Sequence, residues 1–84
     1  MTLTELRYIV AVAQEKHFGR AAQRCHVSQP TLSIAIKKLE EELGVSLFDR
    51  SSNEVKPTET GERIIAQAHR GLEEADRIKH LAAS

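Results

Sequence analysis

The chain has 84 residues, enough for one small domain and too few for an enzyme cleft between two lobes. Apolar residues make up 40% and charged residues 29%, which excludes a disordered polar tail and fits a soluble fold with an ordinary core. Twelve Lys and Arg balance twelve Asp and Glu, so net charge by itself argues for neither a nucleic-acid partner nor a membrane. The lone cysteine, Cys25, cannot close an internal disulfide, and a reducing compartment follows. No run approaches the roughly 18 apolar residues that a membrane span needs, and Glu5 and Arg7 stand where a secretion signal would turn apolar. A cytoplasmic location with no membrane contact is expected.

Helical periodicity runs through most of the chain. Thr2 can cap a first helix, with Glu5 placed three residues later to reach back in a capping box. Leu3, Leu6, Ile9, Val10 and Ala13 form an apolar stripe that makes this helix scaffold. Gly19 opens a second helix of barely two turns, in which Phe18, Ala21, Ala22 and Cys25 turn inward. His26 and Val27 then make a turn, and Ser28 supplies the N-cap oxygen of a third helix. Pro30 is tolerated in its first turn, where N–H groups have no intrahelical partner. The stripe of Leu32, Ile36, Leu39 and Leu43 stops at Gly44, a residue suited to a left-handed C-cap.

Residues 47–50 and 54–56 are too short for helices, and Ser51, Ser52 and Asn53 between them are turn formers. A small hairpin closed by Pro57 is predicted there. Thr58 can cap a last helix carrying Ile64, Ile65, Ala68, Leu72, Ala75, Ile78 and Leu81 at mostly three- and four-residue steps. Running to the end of the chain it would reach about 39 Å, longer than so small a domain covers, so part of this stripe needs a partner. Gly71 inside it either lets two backbones approach closely or is merely tolerated.

Charge is unevenly spread. Between residues 16 and 39 there is no acid, while Lys16, Arg20, Arg24, Lys37 and Lys38 fall in that stretch, and Glu40, Glu41 and Glu42 follow at once. Such a patch attracts a polyanion locally, although solvated helix faces would have the same composition. Two short helices, a tight turn and a following hairpin make a winged helix-turn-helix. At the start of its third helix, Ser28, Gln29, Thr31 and Ser33 gather hydroxyl and amide groups where free N–H groups and the helix dipole favour phosphate. Gln can pair with adenine, the Thr methyl and the Pro30 ring can touch a thymine methyl, and Lys37 and Lys38 suit backbone phosphates.

Each residue also has a plainer role. Ser28 can be a cap alone, Gln29 and Thr31 are ordinary first-turn residues, and Lys37 and Lys38 can pair with the following glutamates. Cys25 is expected to be a buried, inert thiol. No nucleophile stands beside a base, and neither a Gly-rich phosphate loop nor a metal-ligand spacing is present, so no enzyme activity, cofactor or metal is expected.

Residues 18–33 (FGRAAQRCHVSQPTLS), 39–44 (LEEELG) and 47–50 (LFDR) resemble, in order and spacing, the N-terminal DNA-binding domain of LysR-type transcriptional regulators. Within that family, His17 and Phe18 together with Arg24, Cys25, His26 and Val27 are most similar to the peroxide-responsive OxyR type. The resemblance implies a mainly α fold: a winged helix-turn-helix over 1–58 and a long C-terminal dimerisation (linker) helix over 59–84. It implies base contacts by Gln29, Pro30, Thr31 and Ser33, phosphate contacts by Ser28, Lys37 and Arg50, and support from Arg20. Ile64, Ile65, Ala68, Leu72, Ala75 and Ile78 would form the dimer seam. Ile34 is a departure, since many members carry a long polar side chain there; it leaves only apolar contact with a thymine methyl.

The implied partners are double-stranded DNA and a second copy of the chain, with higher oligomers in a full-length protein. The effector-binding domain of such regulators, and any peroxide sensing with it, is absent from these residues. The competing expectation is a helical protein-interaction module without DNA binding, whose basic middle is incidental.

Overall fold

Local capping chemistry sets where the helices begin. The computed structural model describes residues 1–51 and 53–83, in the order α1 (Leu3–Glu15), α2 (Phe18–Arg24), α3 (Gln29–Leu43), β1 (Phe48–Asp49), β2 (Lys56–Pro57) and α4 (Glu59–Ala83). At α1 the Thr2 hydroxyl accepts the Glu5 N–H at 3.1 Å, and the Glu5 carboxylate accepts the Thr2 N–H at 2.7 Å. This is the reciprocal box expected from the sequence. The second helix begins at Phe18 rather than Gly19, because His17 Nδ1 accepts the Arg20 N–H at 3.0 Å and serves as the N-cap. Ser28 Oγ accepts the Thr31 N–H at 3.3 Å to open α3, and Gly44, at φ 72°, closes it by donating to the Glu40 carbonyl at 2.8 Å.

The core lies where α1 meets α2, α3 and α4. Because neighbours surround it, α1 buries a wider arc than the expected stripe: Val12 is fully buried and Ala11 nearly so, whereas Leu3 is 46% exposed. Buried Ala21 and Ala22 let α2 lie close to its neighbours. Between α2 and α3 the chain turns through His26 at φ 59°, a left-handed conformation costing about 1–2 kcal/mol for a residue with a Cβ. The Val27 N–H then donates to the Ala22 carbonyl at 3.0 Å.

The wing is smaller than predicted. Its strands pair antiparallel as Phe48 with Pro57 and Asp49 with Lys56. Pro57 sits inside this ladder rather than closing it, which a two-stranded sheet permits because both strands are edges. Leu47, expected in the first strand, is a fully buried loop residue whose N–H donates to Glu40 Oε2 at 2.7 Å. In the turn, Asp49 Oδ1 accepts the Ser51 N–H at 2.9 Å, and hydrogen bonding from Ser51 holds that carboxyl below its usual range. Ser52, assigned to the same turn, lies outside the described residues, as does Ser84.

Thr58 Oγ1 accepts the Gly61 N–H at 2.9 Å and donates to the Ser46 carbonyl at 2.7 Å, capping α4 and tying it to the loop after α3. A Cβ at Gly61 would fall on the Leu47 carbonyl, so α4 is seated directly on backbone. Further along, Ala68 is 4% exposed and joins the core. Beyond Ala75 the helix leaves the body: Ile78 is 68% and Leu81 71% exposed. At about 1.5 Å per residue α4 spans about 38 Å. Accordingly, the molecule measures 47 Å along its longest axis and 25 and 20 Å across.

Candidate nucleic-acid interface

The third helix divides cleanly into two faces. Leu32, Ile36 and Leu39 are fully buried, while Gln29, Pro30, Thr31, Ile34, Lys37 and Lys38 are exposed, with Ser28 exposed just before them. Ser33 and Ala35 are half-buried on the flanks. The expected reading residues therefore come together on the outward side of one rod whose inward side anchors it. The Gln29 amide oxygen rests near Gly19, where a Cβ would meet it at 3.5 Å.

Hydrogen bonding at the start of α3 uses more of its polar groups than the sequence suggests. Besides capping, the Ser28 hydroxyl donates its proton to Thr31 Oγ1 at 2.8 Å. Its hydrogen is thus committed within the chain, and the Thr31 hydroxyl keeps its own for an outside acceptor. Pro30 has no N–H and the Thr31 N–H is taken by Ser28, so among the first three helical residues only the Gln29 N–H remains for a phosphate. The expectation of several free N–H groups at this terminus is corrected accordingly.

Lys37 and Lys38 belong to no ion pair among the described residues. Two of the three following glutamates are engaged elsewhere: Glu42 lies 3.0 Å from the Met1 amine, and Glu40 faces Leu47 and Arg50. Elsewhere the acid-free stretch is partly neutralised by a residue just outside it. Arg20 Nη2 donates to the Glu15 carbonyl at 2.8 Å, its Nε lies 3.8 Å from the Glu15 carboxylate, and Arg24 approaches the same carboxylate at 3.4 Å. Arg20 thus ties α2 to the end of α1, a supporting position. On α3 the cations are Lys37 and Lys38, followed by exposed Glu41 two turns beyond Ile34.

Arg50 is held from two sides. Its guanidinium lies 4.5 Å above the Phe18 ring, and Nη2 is 3.8 Å from Glu40 Oε1. The Phe18 ring in turn meets Phe48 edge-on at 6.3 Å. A single carboxylate, Glu40, therefore fixes both the Leu47 backbone and the Arg50 head, linking α3 to the wing. Sequence reasoning missed Glu40, the Phe18 platform and the His17 cap. The first two depend on contacts between residues distant in the chain, and nothing local marks them.

Of the expected dimer positions, Ala68 is already buried within its own chain, where α1 packs against α4. Ile64, Ile65 and Leu72 are half-buried against the same core, Ala75 is half-buried, and Ile78 stands free. Cys25 is half-buried in a cleft of about 410 Å³ shared with Arg7, Tyr8, His26 and Leu72. Burial pushes its thiol up, which keeps the unreactive protonated form. Among the described residues no group of His, Cys, Asp and Glu could hold a metal ion, and no helix is long and apolar enough to cross a membrane.

The hydrogen peroxide-inducible genes activator of Pectobacterium carotovorum subsp. carotovorum is 48% identical over 83 residues, which cover 99% of this chain and 28% of that protein. The chain thus spans little more than a quarter of the curated relative's length. A full-length OxyR from Pseudomonas aeruginosa superposes with a TM-score of 0.94 at 65% identity, over 99% of this chain and 28% of that one. The BenM DBD in complex with benA site 1 DNA gives a TM-score of 0.95 at 40% identity, over 99% and 93%. Residues 3–62 match the family model described as bacterial regulatory helix-turn-helix protein, lysR family. With the winged helix-turn-helix geometry and this match together, the chain belongs to the lysR family of bacterial regulatory helix-turn-helix proteins.

Proposed function

We propose that the chain binds double-stranded DNA sequence-specifically, with α3 in the major groove and the Arg50 wing on the flanking backbone. The observation that carries this is the outward face of α3. Gln29, Pro30 and Thr31 lie exposed ahead of two unpaired lysines, and the opposite side is locked into the core. Gln29 and Thr31 supply base-edge contacts with Pro30 and Ser33 beside them, while Lys37, Arg50 and the Gln29 N–H take phosphates. Ser28 serves mainly by setting the Thr31 hydroxyl. The domain division at residue 58 follows the same logic, with the winged body reading DNA and α4 pairing two copies.

The exposed end of α4, at Ile78 and Leu81, supports pairing with a second chain, since an apolar seam left in water is unfavourable. The relatives' names add hydrogen peroxide as the inducing signal and activation as an outcome, and they support reading the chain as part of a cytoplasmic regulator rather than a catalyst. No cofactor is required for the binding step.

Selection of bound duplexes from a random pool, followed by gel retardation at two salt concentrations, tests the proposal. A recovered dyad, with half-sites about 34 Å or a multiple apart and retention that weakens with salt, is the expected result. Absence of salt-sensitive retention would instead favour a protein-interaction module.

A further inference from the structure

The cleft beside Cys25 carries polar groups that the fold does not use. It lies between α1, the end of α2 with the turn after it, and α4, and its volume of about 410 Å³ suits a small organic molecule. Val10 and Ala11, both buried, form its floor together with half-buried Leu72. Above this floor, the Arg7 guanidinium and the Tyr8 hydroxyl make no hydrogen bond or ion pair among the described residues. Arg24 reaches the Glu15 carboxylate with Nη1 alone, at 3.4 Å, which leaves its remaining nitrogens without a hydrogen-bond partner. No Asp or Glu lines the cleft among the described residues. Folding therefore leaves an apolar floor under two guanidinium groups and a phenol.

We propose that this cleft binds a small amphipathic carboxylate, its apolar body on Val10, Ala11 and Leu72 and its carboxylate on Arg7, with Tyr8 and Arg24 as further donors. A guanidinium presents paired N–H groups that match the two oxygens of a carboxylate, and a phenol adds one more donor. A carboxylate thus engages groups that an uncharged ligand would leave unpaired. Such a site needs no DNA: it lies on α1, α2 and α4, away from the outward face of α3. A second copy of the chain fits it less well. At about 100° per residue, Leu72 lies about 120° around α4 from Ile78 and about 180° from Leu81, so the cleft and the exposed apolar end are on different flanks of that helix. Cys25 and His26, which line the cleft, lead directly to Ser28, the cap of α3, so an occupant touches the turn that sets the start of that helix.

The test is a titration of the 84-residue chain with octanoate, followed by backbone amide NMR shifts, with octanamide as the uncharged counterpart. Saturable shifts at Tyr8, Cys25 and Leu72 are expected, with a Kd of about 1 mM. Replacing octanoate by octanamide, or Arg7 by Ala, is expected to weaken binding about tenfold, and Arg7→Lys, which keeps the charge and loses the fork, by less. Tyr8→Phe, which keeps the ring and loses the hydroxyl, should weaken it about threefold. Arg70→Ala removes an exposed cation from the far face of α4 and should leave the Kd unchanged. Arg7 and Arg70 are both exposed, so their variants keep the parent thermal transition, and a change in Kd then reports the site rather than the fold. No saturable shift with octanoate at about 20 mM, equal binding of octanamide, or an unchanged Kd in Arg7→Ala overturns the proposal. Shifts at Tyr8 and Cys25 that grow with protein concentration in the absence of octanoate overturn it as well, since a second copy would then occupy the cleft.

Discussion

The two longest helices carry similar apolar stripes and use them differently. In α3 the stripe of Leu32, Ile36 and Leu39 is consumed entirely by the chain's own core, which leaves the opposite face rigidly presented and free of structural duty. In α4 the first half is consumed in the same way, at Gly61 and Ala68, while Ile78 and Leu81 remain in water. A stripe satisfied within the chain turns the other side of the helix into a recognition surface; a stripe left over makes the stripe itself the surface. The periodicity of the sequence is the same in both cases, and only the extent of the remaining body decides between them.

The contrast breaks most visibly in the core. Ile36→Ala removes a fully buried side chain from the anchoring side of α3, and a loss of about 2–5 kcal/mol is expected in chemical denaturation. Gly61→Ala should cost about 1–3 kcal/mol, since its Cβ meets the Leu47 backbone rather than a side chain able to swing away. At the free end of α4 the expectation reverses. Ile78→Glu should change the stability of the isolated fold by no more than about 0.5 kcal/mol. Sedimentation should nevertheless show a shift from dimer toward monomer, because a charge in an apolar seam loses hydration without a partner. Leu72→Glu would be a poorer probe, because Leu72 also packs against the chain's own core.

Much of the fold was legible because its determinants are local. Thr2 with Glu5, Ser28, Gly44 and Thr58 are each read from a few adjacent residues, and each performs the capping expected of it. The start of α2 was missed by one residue because an imidazole, rather than a hydroxyl or carboxylate, accepts the capping bond. The width of α1's buried arc was missed because it depends on how many helices surround it. At the candidate interface, the exposed set on α3 followed from helical spacing. The Glu40 bridge to Leu47 and Arg50 did not, since it joins residues brought together only by folding. Nor did the spent hydroxyl of Ser28, whose proton goes to Thr31.

The most direct test of the outward face of α3 is a salt titration comparing Lys37→Ala and Gln29→Ala on a selected and a random duplex. Lys37→Ala should weaken both and reduce the salt slope by about 1, as expected for one lost phosphate contact. Gln29→Ala should cost about 1–3 kcal/mol on the selected duplex, concentrated at one base pair, and leave the random duplex nearly unchanged. Equal losses on both duplexes for both variants would contradict the assignment of α3 as the element that reads sequence.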